Sequence, residues 1–166
     1  MRRLLVPFLA LLVLPAAAYS ALPLAPPADG TLSVKEARGM IFLNAKGSIT
    51  GRFERGKLTI TDPNPYDSKR PVVYGARKIT YRGDKTTIYQ GQNIRFRLIG
   101  ARYQTRIEAR GIFLSAIARG RGVIDGAGDP TAGIYYDGVW SLNEEEYHSL
   151  PDDPMKFDLS SPPAPR

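Results

Sequence analysis

Glycine recurs at nearly constant intervals through this chain, and the interval limits what the chain can fold into. Gly30, Gly39, Gly47 and Gly56 lie 9, 8 and 9 residues apart; Gly75, Gly83, Gly91, Gly100, Gly111 and Gly120 follow at 8, 8, 9, 11 and 9. Interior glycine weakens a helix, so such a rhythm argues against helical packing. Between the glycines the side chains alternate with period two. Ile94, Phe96 and Leu98 oppose Arg95 and Arg97, and Leu58 and Ile60 oppose Thr59 and Thr61. Ala101, Tyr103, Thr105, Ile107 and Ala109 share one face; Arg102, Gln104, Arg106, Glu108 and Arg110 share the other. Strands of about five to eight residues punctuated by glycine predict an all-β domain. No proline falls between Pro71 and Pro130, as expected where amides are committed to sheet ladders.

A repeat accompanies the rhythm. Residues 36–45 read EARGMIFLNA and residues 108–116 read EARGIFLSA, each followed by a glycine-rich strand, which points to a duplicated or stacked strand unit. Residues 62–71 (DPNPYDSKRP) form the one long internal loop. Ile134–Trp140 carries a hairpin signal, because Asp137-Gly138 suits the positive-φ positions of a type I′ turn. Asn143, followed by Glu144, Glu145 and Glu146, has the pattern of a cap on one short helical turn.

The two ends differ from the middle. Arg2 and Arg3, the apolar run Leu4–Leu14 and the small residues Ala16–Ala18 make residues 1–21 a secretory signal, with Ala18, Ser20 or Ala21 as its last residue. The apolar run is shorter than the roughly 18 residues a membrane span requires, so no transmembrane helix is expected after cleavage. Residues 22–29 form a Pro-rich lead-in and residues 151–166 a Pro- and Ser-rich flexible tail, leaving 30–150 as a single domain. The chain has no cysteine. That excludes disulfide scaffolds, zinc-thiolate sites and cysteine nucleophiles, and with an export signal it fits a periplasmic or extracellular place in a cell envelope.

Charge is segregated. The formal net charge is +7, yet residues 69–121 alone carry thirteen basic groups against Asp84 and Glu108, while residues 141–166 carry six acids against Lys156 and Arg166. Arg102, Arg106 and Arg110 recur every fourth residue, which on a strand sets them about 13 Å apart on one face. With Arg95 and Arg97 they are candidate ligands for a phosphate or carboxylate, since guanidinium offers a planar pair of donors. The alternative is that they solubilise the wet face of a half-buried sheet. Nucleic acid is not expected as a partner: the signal takes the chain out of the cytosol, and no nucleic-acid motif is present.

Little else suggests chemistry. His148 stands beside Ser149, but no nucleophile-elbow sequence accompanies them, and a surface histidine is expected. Asp125 and Asp129 flank glycines without the alternating acids of a calcium loop. Tyr135, Tyr136 and Trp140 suit either a sugar platform or a core-closing hairpin. No catalytic residue, cofactor or metal is expected.

The run GARKITYRGDKTTIYQGQNIRFRL (75–98), followed by ARYQTRIEARGIFLSA (101–116), resembles the OstA-like strand pattern of periplasmic lipopolysaccharide-transport proteins. Ala76–Tyr81 stands at the family's alanine-led strand ending in Tyr, and Gly91–Arg95 at its glycine followed by an apolar strand. The resemblance implies a curved jelly roll whose apolar interior carries acyl chains, and it transfers no ligand-contacting residue. The acidic terminal segment and the YYDGVW hairpin depart from the pattern. The expected architecture is therefore all-β, jelly-roll or β-solenoid-like, with a small β-sandwich as the alternative. The expected role is a non-enzymatic envelope or extracellular protein binding an amphiphile (lipid or glycolipid) or an anionic polysaccharide. The alternative role is a structural or assembly module that self-associates or meets an envelope protein through its sheet edges.

Overall fold

The computed structural model describes residues 28–128 and 137–161. The signal segment, most of the Pro-rich lead-in, Asp129 and the hairpin residues Ile134–Tyr136 lie outside that range. Among the described residues every regular element is a strand: β1 (Gly30–Thr61), β2 (Val72–Arg82), β3 (Thr86–Gly126), β4 (Val139–Leu142), β5 (His148–Ser149) and β6 (Met155–Leu159). All pairings are antiparallel.

The all-β expectation holds, but the strands are not short. β1 runs for 32 residues and β3 for 41. Their glycines mark bends through which the ladder continues. The register explains how. Along most of its length β1 has β3 on both sides: Ile41 pairs with Ile107 and with Ile124, and Leu58 pairs with Ile107 and with Tyr89. Ile107 thus lies between Ile41 and Leu58, seventeen residues apart, and Ile41 between Ile107 and Ile124 at the same interval. One long hairpin, its tip at Gly83–Lys85, is wound on itself with a circuit of 17 residues.

The 8–9-residue glycine spacing is half that circuit. Gly126, Gly39, Ala109, Gly56, Gly91 and Ala76 form one continuous cross-strand row. Gly30, Ala118 and Gly47 form another half a circuit away. These small-residue rows divide the coil into two walls. At Gly39 (φ 140°) an added Cβ would fall on the carbonyl of Asp125 and 2.9 Å from the amide of Ala127, so only glycine lets adjacent passes close there. Beside the same bend Glu36 (φ 54°), Asn93 (φ 54°) and Gly111 (φ 64°) take positive φ. Each such bulge shifts the alternation by one residue, so Val34 and Ala37, or Ile107 and Ile112, both stay inward.

The core fills the space between the walls. In one wall Trp140, Val34, Leu114, Gly51, Phe96 and Val73 line up across the strands; in the other, Ile124, Ile41, Ile107, Leu58, Tyr89 and Ile79. Most are buried, and each large apolar side chain so placed stabilises the fold by about 1.5–3 kcal/mol. The repeated EARG segments meet at the bend. Arg38 pairs with Arg110, its own counterpart, so the copies face each other antiparallel about a local two-fold.

Two sequence expectations are corrected. Met155–Leu159 is not flexible tail. It forms β6 on β3, because its alternation sends Phe157 and Leu159 inward, and Ser161 bridges back to Ala28. Asn143 starts no helical turn. Asn143 (φ 52°) and Glu144 (φ 63°) are both left-handed, and the Glu145 amide donates to the Leu142 carbonyl, the signature of a type I′ turn. The Asn143 side chain accepts from the Thr31 amide and donates to the Ser160 carbonyl, tying the turn to both neighbours.

Candidate functional site

The coil separates the five arginines picked out by spacing. Arg95 and Arg97 point outward on the wall that contains Val34 and Leu114; Arg102 and Arg106 point outward on the opposite wall. Arg110 lies past the bend at Ala109, where it pairs with Arg38 on one side and Arg55 on the other. Like charges on paired strand positions are unfavourable, and the Glu54 side chain lies against neighbouring Gly111. Period two sorts the two faces of each segment correctly, but the bends at Gly100 and Ala109 distribute the side chains around the coil.

On the first wall the coil assembles cations that are distant in sequence. Arg52 pairs with Phe113 and with Arg95, and Arg95 pairs with Tyr74. The Arg52 guanidinium sits over the Phe113 ring at 4.4 Å, and Lys35 Nζ lies 4.0 Å from the centre of the Tyr147 ring. Tyr147 also shares a 2.9 Å hydrogen bond with Ser33. Hydrogen bonds from Lys35 and Ser33 hold the Tyr147 phenol below its ordinary pKa. Alongside runs a row of small hydroxyls, Ser33, Ser115 and Thr50, ending in Arg97. The hollow between has a volume of about 600 Å³. The sequence held one signal of this arrangement: Lys35 and Arg52 are one 17-residue circuit apart.

The second wall also carries cations, around a hollow of about 570 Å³ lined by Lys57, Lys78, Arg82, Arg106 and three threonines. Here the protein supplies its own anion. Glu108 meets Lys57 at 2.5 Å and Arg106 at 3.0 Å. Burial raises the Glu108 pKa, but the hydrogen bonds and charges of Lys57 and Arg106 outweigh it and leave the carboxyl below its usual value.

The coil ends differently on its two sides. At β4–β6, Trp140 from one wall and Phe157 from the other meet with ring centres 5.7 Å apart, over buried Leu150 and Leu159. At β2 nothing comparable among the described residues closes the interior. Ile79 and Tyr81 occupy inward rows, continuing Leu58–Tyr89 and Ile60–Thr87, yet they are 48% and 73% exposed. The loop 62–71 crosses part of this mouth, fixed by Asx hydrogen bonds at Asp62 and Asp67 and by Tyr103, whose hydroxyl donates to the Lys69 carbonyl. Burial, with the carboxylates of Asp62 and Asp67 nearby, pushes the Tyr103 phenol up to about 12. A cleft of about 470 Å³ remains, lined by Tyr66, Tyr81, Tyr89, Arg70 and Lys85 among others. Burial also raises the Tyr89 phenol, with the Tyr81 phenol adding to the effect.

The remaining sequence candidates do not converge. His148 and Ser149 lie exposed on β5, the imidazole 6.5 Å from the Trp140 ring. Asp125 points outward beside Met40, while Asp129, Tyr135 and Tyr136 fall outside the described residues. Among the described residues no cluster of three His, Asp or Glu is placed to hold a metal ion, and none forms a helix that would cross a membrane. No protein-family model matches the chain, and no match is found among curated proteins or solved structures.

Proposed function

We propose that the protein is an exported, non-enzymatic assembly module that receives the edge strand of a protein partner on β2. The observation that carries this reading is the mouth of the coil. Among the described residues β2 pairs only with β3, and its inward Ile79 and Tyr81 remain exposed. An unpaired edge bearing apolar side chains is a template for strand addition. A partner strand there would continue both the ladder and the core rows. β2 and its flanks carry Lys69, Arg70, Arg77, Lys78, Arg82 and Lys85 with Asp84 as their one acid, so a strand with acidic outward positions fits best. On this reading the wound hairpin is a jelly roll left open at one end. An amphiphile is the second reading, supported by the tyrosine-lined cleft at the same mouth.

A photo-reactive residue at position 81 of the full chain, expressed in its own host, tests the proposal. The expected result is a discrete protein adduct at position 81 that disappears when Ile79→Lys places a charge on the inner face. Adducts formed equally from position 145 at the closed end, or unaffected by Ile79→Lys, would overturn it. A lipid adduct in place of a protein one would favour the second reading.

A further inference from the structure

We propose that the trough on the first wall binds an extended acidic polysaccharide, with carboxylates against Lys35, Arg52, Arg95 and Arg97 and sugar hydroxyls over Ser33, Thr50 and Ser115. This goes beyond strand docking at β2, because the trough lies on an outer surface that an added strand would not cover.

Charge selects the first wall over the second. On the second wall Glu108 already occupies the space between Lys57 and Arg106. The residues lining the first trough include Lys35, Arg52 and Arg95 but no carboxylate, and none of the four ion pairs found among the described residues involves these cations or Arg97. Glu54 lines the adjoining hollow with Arg52 and Arg95 but forms no ion pair with either, so four cations on this wall repel one another and an incoming polyanion relieves that repulsion.

Geometry selects an extended partner. The cations lie on different passes of the coil: Lys35 and Arg52 are separated by one pass of β3, and Arg95 is on the pass beyond. At about 4.8 Å between neighbouring strands, Lys35 to Arg95 spans about 14 Å across the sheet. That direction follows the hydroxyl row, which suits a chain lying across the strands.

The aromatic residues select a sugar acid over a base. Nucleic-acid platforms need bare ring faces on which bases stack. Here one face of Phe113 is taken by Arg52 and the Tyr147 ring by Lys35. The rings act as seats that hold the cations in place, leaving charge and hydroxyl contacts for the partner. Oriented guanidinium groups bind carboxylate with two parallel hydrogen bonds.

The test is binding of the full chain to polygalacturonate, followed by calorimetry at low and moderate salt. Salt-sensitive binding is expected, with Arg52→Gln/Arg95→Gln weakening it about tenfold or more. Lys46→Gln/Arg121→Gln removes the same charge from the other wall and should change it less than about twofold. Phe113→Leu, which keeps every charge, should weaken it about threefold through loss of the Arg52 seat. Equal losses from the two double variants, no binding to polygalacturonate, or equally tight binding to single-stranded DNA or to anionic phospholipid vesicles would each overturn the proposal. Arg97→Gln alone, at the end of the hydroxyl row, provides a separate arm with an expected loss of about threefold should the double variant fold poorly.

Discussion

The two ends of the coil are made from the same winding and finish differently. At β4–β6 the chain turns back twice, and Trp140, Phe157, Leu150 and Leu159 close the space between the walls. At β2 the hairpin ends at its tip, and the last inward residues, Ile79 and Tyr81, are left partly in water. Local sequence preference does not account for the contrast, since both ends carry apolar residues on alternating strands. The difference lies in the chain beyond each end: short strands after Gly126 supply a closure, whereas the Gly83–Lys85 turn reverses the chain before any can form. An open end retained beside a closed one is the physical basis for reading β2 as an acceptor.

Substitutions at the two ends should therefore differ most in stability. Trp140→Ala or Phe157→Ala should destabilise the protein by about 3–5 kcal/mol in urea unfolding, because each opens a cavity at the closed end. Ile79→Ala, half exposed, should cost less than about 1 kcal/mol. Comparable losses at both ends would break the comparison.

Glycines sharpen it next. Gly39→Ala, in the small-residue row near the closed end, should cost about 2–3 kcal/mol, because the new methyl meets backbone on the neighbouring pass. Gly83→Ala at the hairpin tip meets nothing within 4 Å, so only its positive φ of 62° is penalised, at about 1 kcal/mol. Because Gly39 also has a positive φ, of 140°, its excess loss over Gly83→Ala in thermal denaturation reports the steric crowding.

Tyr103 links the loop at the open end to the core, and its ionisation gives a smaller effect with a defined sign. Its folded pKa of about 12 lies above the ordinary 10.0, so folding favours the neutral phenol. Its contribution is fully present below pH 10.0 and is lost as pH rises toward about 12. Tyr103→Phe should flatten that alkaline decline in a pH series of melting temperatures, at a cost near neutrality of about 1 kcal/mol for the lost hydrogen bond. The smallest effect is expected from Tyr81→Ser. Stability should change by less than about 0.5 kcal/mol, and a larger loss would show that Tyr81 belongs to the core.

Much of the fold was legible in the sequence, but not the continuity of the strands. The spacing of Gly30, Gly39, Gly47 and Gly56 pointed to an all-β chain, and period two correctly sorted Ile94, Phe96 and Leu98 from Arg95 and Arg97. A glycine that ends a strand and one that bends it look alike, because the difference lies in pairing partners far away in the sequence, such as Ala118 for Gly47 and Ala109 for Gly56. For that reason Arg102 and Arg106 could not be separated from Arg95 and Arg97 by spacing, and Arg52 was not connected to Phe113. β6 was hidden by composition. Pro151 and Pro154 gave the segment the look of a tail, although the alternation in Met155–Leu159 was there to be read.

Residue-resolved amide hydrogen exchange on the isolated protein tests the contrast between the ends most directly. Along Val72–Arg82, amides bonded to β3 should be protected while the alternate ones exchange near the rate of unstructured chain. In β1 and β3, flanked on both sides, protection should be continuous through Gly39, Gly47 and Gly56. Continuous protection along β2 would mean that its edge is already covered and would contradict the open end. Breaks in protection at the glycines of β1 would contradict the wound hairpin itself.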